Sequence, residues 1–138
     1  MIAVVDAGPL YAATDSSDRK HHVCLAALSR PDVQFVVAGL AVAEATYFVG
    51  RRLGPGAEAA FLRSFKDLDV EAPAGEDWTR IAELVEQYRD FPLGGSDASI
   101  IALAERLGAP AIVTLDRRHF GAVRPRHREA FVILPDEA

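Results

Sequence analysis

Short apolar runs alternate with helix-length segments along this chain, and that alternation restricts the fold more than any other feature. Val4 and Val5 form the first run, which ends at Asp6; residues 35–37, 68–71, 111–114 and 131–133 are the others. Runs this short, bounded by turn residues, read as buried strands. Gly8-Pro9 permits a helix start that Leu10, Tyr11 and two alanines continue. Asp15-Ser16-Ser17-Asp18 is a polar turn suited to capping a second helix through Ser29. Further helices are expected over 41–53, 57–65 and 78–88, and from a cap at Ser96 or Asp97 to a stop at Gly108. The pattern predicts an α/β fold with a mainly parallel central sheet of about five strands and helices on both faces. A chain of 138 residues fits one domain, 1–138.

Half of the residues are hydrophobic, at 50%, which is enough for a core and argues against disorder. The single cysteine, Cys24, lies among Val23, Leu25 and Ala26 and reads as a small buried hydrophobe. One cysteine makes no internal disulfide, which suits a reducing cytoplasm. No leader is expected, because Met1 runs straight into Ile-Ala-Val-Val without a basic region or cleavage-like site. The longest apolar stretch, 35–49, contains Glu44 and is too short to span a bilayer.

A net charge of −5 speaks weakly against nucleic acid as a partner of the whole surface. The charge is uneven, however. Residues 117–128 hold five arginines and no acid. A basic segment on an acidic body is a candidate phosphate-contacting patch, with Arg117 and Arg118 as its first members.

Ligands of open parallel sheets bind outside the carboxyl ends of the strands. Asp6 follows the first predicted strand directly, Asp116 follows the fourth after one residue, and Asp97 opens a helix. Taken singly, each also reads as a turn or helix cap. Glu44 changes that balance, being the only charged residue between Gln34 and Arg51. On a helix it shares a face with Leu40, Tyr47 and Phe48, so burial is expected, and a buried carboxylate requires a partner. Four converging carboxylates repel one another and call for cations, which Mg2+ or Mn2+ supplies. Thr114 is placed to hold a ligand water or a carboxylate at the strand end. Trp78 and Tyr88 read as core or dimer-contact aromatics, and His21 and His22 as a solvated face.

Four segments carry a family resemblance: Val-Val-Asp6-Ala-Gly-Pro-Leu; Ala-Val-Ala-Glu44-Ala-Thr-Tyr; Gly-Gly-Ser-Asp97-Ala-Ser-Ile-Ile-Ala-Leu-Ala-Glu-Arg-Leu-Gly; and Ile-Val-Thr114-Leu-Asp116-Arg-Arg-His-Phe. In this order they resemble the PIN-domain family over essentially the whole chain. The narrower resemblance is to VapC-like toxins of type II toxin–antitoxin pairs. It implies a three-layer α/β/α nuclease domain that cuts RNA, transfer or ribosomal, without a covalent intermediate. Asp6 and Asp97 would be the main Mg2+ ligands, with Glu44 and Asp116 completing the site. A VapB-like antitoxin would lay a C-terminal segment near the acids, and the protein would be a homodimer. Gly8 departs from the family, many members of which have Ser or Thr at that position. An inactive PIN-like RNA- or partner-binding module and an RNA-processing nuclease without an antitoxin are the alternatives. A receiver-type phosphotransfer domain is disfavoured because the only lysines are Lys20 and Lys66. A haloacid-dehalogenase-like one is disfavoured because Gly8 replaces its second aspartate.

Overall fold

Small and β-branched apolar residues turn the five runs into strands of one sheet. The computed structural model describes residues 1–136. The strands are β1 (Ile2–Val5), β2 (Gln34–Ala38), β3 (Val70–Glu71), β4 (Ala111–Val113) and β5 (Val132–Leu134), in the spatial order β3-β2-β1-β4-β5. All four pairings are parallel, and Val5 lies opposite Val37 on one side and Val113 on the other. Ala3, Val4, Val5, Ala111, Ile112 and Val113 are wholly buried. That explains why the central strands read as continuous apolar runs, since both faces of the sheet are covered.

The helices are α1 (Ala7–Thr14), α2 (His21–Leu28), α3 (Gly39–Leu53), α4 (Pro55–Arg63), α5 (Gly75–Gln87), α6 (Gly95–Leu107) and α7 (Arg117–Ala122). Helix α3 turns Ala41, Ala45 and Val49 inward, one residue per turn at a spacing of four. Helix α6 is different, because every residue from Ala98 to Ala104 is buried. An all-round apolar helix must be enclosed, so α6 runs through the core and carries its ends to the surface. No helix among the described residues is long and apolar enough to cross a membrane.

The expected three-layer α/β architecture with a five-stranded sheet is present, its parallel strands flanked by helices. From β1 the chain steps to β2 and β3 on one side, then crosses to β4 and β5 on the other. The direction of winding therefore switches between β1 and β4, and a crevice opens outside their carboxyl ends.

Several local expectations differ. The Asp15–Asp18 turn does not cap α2, whose N-cap is Lys20. Its side chains stabilise the turn itself: Asp15 Oδ1 accepts from Ser17, and Asp18 Oδ1 accepts from the Lys20 amide. Helix α6 starts from Gly94 rather than from Ser96 or Asp97, which leaves Asp97 inside the first turn. The basic segment begins as a helix, residues 117–122 forming α7, and Asp116 is its N-cap, one of the roles its position allows. Trp78 is 53% exposed and is no core residue, because the buried stripe of α5 is Asp77, Ile81 and Leu84.

Candidate active site

The two central strand ends are tied together by short hydrogen bonds. The Asp6 amide donates to the Val113 carbonyl at 2.9 Å. Asp6 is also the N-cap of α1, its Oδ1 accepting from the Ala7 amide at 2.7 Å. Its Oδ2 accepts from the Thr114 hydroxyl at 2.7 Å, a contact between residues far apart in the chain. The Thr114 oxygen in turn accepts from the Asp116 amide at 3.0 Å. Thr114 is wholly enclosed, so its hydroxyl is fixed by these two partners.

Asp116 caps α7. Its Oδ1 accepts from the His119 amide at 3.0 Å, and its Oδ2 faces His119 Nδ1 at 2.8 Å. Sequence reading passed over His119 as one of a basic run. Its position three residues after a helix-capping acid is the signal that would have found it.

Asp97 completes the picture from the third element. Its carboxyl is raised from 3.8 to about 6, first by burial, then by the charges of Asp6 and Asp116, with His119 opposing and Glu44 adding. All three other acids thus act on Asp97, which places the four within electrostatic reach of one another. A helix N-terminus favours a carboxylate by about 0.3–1 kcal/mol. Burial and three like charges outweigh that here. Asp6 is raised too: burial dominates, the Thr114 and Ala7 hydrogen bonds pull it back, and Asp116 pushes it up further.

Glu44 joins the cluster, although not as expected. It is exposed, because the core stripe of α3 is Ala41, Ala45 and Val49 and Glu44 points one step around the helix. Its neighbours Tyr47 and Phe48 are likewise exposed and half-buried, so the apolar face it shares is the wall of a groove. Crowding by protein atoms, then the Asp6 charge, raises its carboxyl. The inference that burial demands a partner for Glu44 therefore fails, while its closeness to Asp6 stands.

The donor set suits a divalent ion of the hard, oxygen-binding kind. Among the described residues, however, no group of three or more His, Cys, Asp or Glu side chains is arranged to hold a metal ion. Both oxygens of Asp116 face His119, and both of Asp6 accept hydrogen bonds, each oxygen keeping a lone pair free. A hard divalent ion held by one or two carboxylates and completed by waters is compatible with such donors.

Arg117 and Arg118 flank the acids on α7. Arg117 donates to the Pro135 carbonyl at 2.9 Å, and the Arg118 guanidinium stands 5.1 Å over the Phe91 ring. A cavity of about 510 Å3 opens beside Thr114 and Leu115, with Arg19, Lys20 and Arg117 in its lining.

The PIN-domain family model matches residues 3–124, a span that runs from β1 to just beyond α7 and takes in all four acids. The chain belongs to the PIN-domain family. The protein named ribonuclease VapC26 of Mycobacterium tuberculosis is 31% identical over 134 residues, covering 96% of this chain and 99% of the relative. The PIN fold also aligns with solved structures. One is M. tuberculosis VapC20, described as a sarcin–ricin-loop-cleaving toxin, with a TM-score of 0.72, 20% identity, and 81% of this chain and 87% of that chain covered. Another is VapBC2 of Rickettsia felis bound to a promoter DNA fragment, with a TM-score of 0.72, 15% identity, and coverages of 96% and 97%. The VapC relationship proposed from sequence motifs is thus upheld over the length of the chain.

Proposed function

We propose that this PIN domain is a VapC-like endoribonuclease toxin that hydrolyses RNA phosphodiester bonds with a divalent ion, Mg2+ or Mn2+. The observation that carries the reading is the convergence of Asp6, Glu44, Asp97 and Asp116, where burial first and the charges of the other three acids second raise Asp97 to about 6. A protein maintains such repulsion at a switch point of its sheet only where a cation or a catalytic duty offsets it. The family relationship to a named ribonuclease supports the choice of RNA as substrate.

In this reading Asp6 and Asp97 hold the ion. When bound, the ion supplies Lewis acidity and neutralises charge on the phosphodiester. The chain's own residues do the rest. Thr114 holds Asp6 Oδ2 and so fixes which way its carboxylate faces. Asp116, anchored by His119, and Glu44, at the open rim, orient the attacking water. Arg117 and Arg118 contact flanking phosphates. A hydroxyl two residues after Asp6 is absent because Gly8 stands there, and the four acids suffice without it. A VapB-like antitoxin covers the groove, and the toxin works as a cytoplasmic homodimer formed from one domain.

Purified protein with Mg2+ is expected to cut RNA, and Asp97→Ala is expected to remove cleavage while the circular dichroism spectrum is retained. Equal cleavage by the two proteins rejects the site.

A further inference from the structure

A cavity of about 300 Å3 adjoins the acids, and the chemistry proposed above does not use most of its lining. Tyr11 of α1 and Phe48 of α3 contribute rings. Arg52 lays its guanidinium over both, 5.1 Å from the Tyr11 centroid and 4.9 Å from that of Phe48. Leu115, placed between Thr114 and Asp116 and 39% exposed, lines it too. Asp18 supplies a carboxylate whose Oδ1 accepts from the Lys20 amide at 2.8 Å. Among the described residues no hydrogen bond reaches its other oxygen. Ala7, whose amide donates to Asp6, and Leu115, next to Asp116, line it together with Glu44, so the cavity borders the acids.

We propose that this cavity receives one nucleobase of single-stranded RNA beside the bond that is cut, with a preference for guanine. The proposal rests on the ribonuclease reading and adds to it the part of the protein that reads sequence. Its volume is at the small end of ligand cavities, which suits one base and excludes a duplex. Unstacked RNA bases settle on aromatic rings and on guanidinium planes; half-buried Phe48 and exposed Arg52 present one of each, with buried Tyr11 backing the guanidinium. The polar wall selects among bases. An ionised carboxylate only accepts hydrogen bonds. Guanine offers two adjacent donors, N1–H and the N2 amino group, to one carboxylate. Adenine and cytosine offer an amino group alone, and uracil flanks its single N–H with two carbonyl oxygens that a carboxylate repels. The cavity opens onto the acids where, in the ribonuclease reading, the phosphodiester lies, so a base seated in it is continuous with the strand that is cut.

The test uses the full chain and two short single-stranded RNAs, AAGAA and AAUAA, with binding read by fluorescence anisotropy in EDTA so that no metal-dependent cutting occurs. The guanine oligomer is expected to bind roughly tenfold more tightly. Asp18→Asn is expected to bring that ratio close to one. Arg52→Lys keeps the charge and removes the planar surface, and is expected to weaken both oligomers several-fold. Phe48→Ala repeats the stacking test, with Arg52→Lys standing in if that variant does not fold. Arg63→Ala, on the exposed face of α4, controls for loss of charge. A guanine-to-uracil ratio that is the same in wild type and Asp18→Asn overturns the proposal and leaves the cavity to a protein partner. The same protein with Mg2+ and longer RNA reports on the ribonuclease reading separately. Cleavage with no base preference sinks the pocket alone, and guanine-selective binding without cleavage sinks the nuclease alone.

Discussion

The two ends of α6 hold acids in opposite circumstances. Asp97 lies in the first turn, where the helix dipole favours negative charge, and Glu105 lies in the last turn, where it does not. The dipole alone would lower Asp97 and raise Glu105. The reverse occurs: Asp97 rises to about 6 and Glu105 falls below its usual range. Partners account for this. Burial pushes Glu105 up, but the Arg80 fork at 2.7 and 2.9 Å and the Arg126 amide at 2.8 Å outweigh it. Asp97 faces three other acids instead. Asp77, in a second ion pair between α5 and α6, likewise has Arg106 at 2.9 Å. Acids with cationic partners hold α5 and α6 together, whereas acids that face only acids and one histidine mark the place where chemistry is proposed.

The sharpest way to break this contrast is to neutralise each end in turn. If Asp97 holds the ion as proposed, Asp97→Asn is expected to lower RNA cleavage by more than about 100-fold, since a ligand matters more than the groups behind it. Thermal stability is expected to hold or rise. A variant that loses both stability and cleavage would place Asp97 with the structural acids.

Thr114→Val comes next. The substitution keeps the shape and removes the hydroxyl that donates to Asp6 and accepts from the Asp116 amide. Asp6, already raised by burial, then rises further and competes less well for a cation. Apparent Mg2+ affinity, read by titrating cleavage, is expected to fall about 10–100-fold. An unchanged titration would show that Asp6 needs no such support.

At the other end, Arg80→Ala leaves Glu105 largely enclosed without its main cation. Breaking a fully buried pair costs about 3–5 kcal/mol. This pair is partly open to water, so about 1–2 kcal/mol is expected in a urea melt. Cleavage per folded molecule is expected to stay at the wild-type level. A fall in cleavage without a fall in stability would mean that the two ends are coupled through α6.

How well sequence reading located these features depended on chain distance. The strand ends were legible: an apolar run that stops at Asp6, and another that stops two residues before Asp116, fix both acids at the edge of a parallel sheet. Helix α6 was legible as a helix from its apolar residues and its stop at Gly108, but its complete enclosure was not, because Ser99 interrupts the apolar stretch 98–104. Glu44 was placed near the site for a faulty reason. Its apolar neighbours suggested burial, but helix phase assigns the core to Ala41, Ala45 and Val49 and turns Glu44 outward. The cap of α2 and the start of α6 were missed because several adjacent residues can each cap, and tertiary packing chooses among them. The Tyr11–Phe48–Arg52 arrangement was invisible, because nothing local in the sequence says that α1 and α3 touch. The same holds for Arg80 and Glu105, which meet across α5 and α6.

The smallest effect is the most direct reading of charge. Asp97 ionises at about 6 in the folded, metal-free protein and at 3.8 when free of its surroundings. Below about pH 3 it is protonated in both states and contributes nothing unfavourable. As pH rises from about 3 to 6 the unfolded chain ionises first, so the folded state loses stability, and above 6 the loss is complete. Asp6 and Glu44 shift in the same direction and add to it. Because Asp97 is partly open to solvent, the share due to it is about 1 kcal/mol after screening. Glu105 works the other way, strengthening the fold as it ionises, so the raw pH profile mixes the two ends of α6. The difference between wild type and Asp97→Asn separates them. In EDTA that difference is expected to be near zero at about pH 3 and to favour Asp97→Asn by about 1 kcal/mol at pH 7. Added Mg2+ is expected to shrink or reverse it, because only the wild type gains binding energy from the ion. A difference that ignores both pH and Mg2+ would mean that Asp97 feels neither its three neighbours nor a cation.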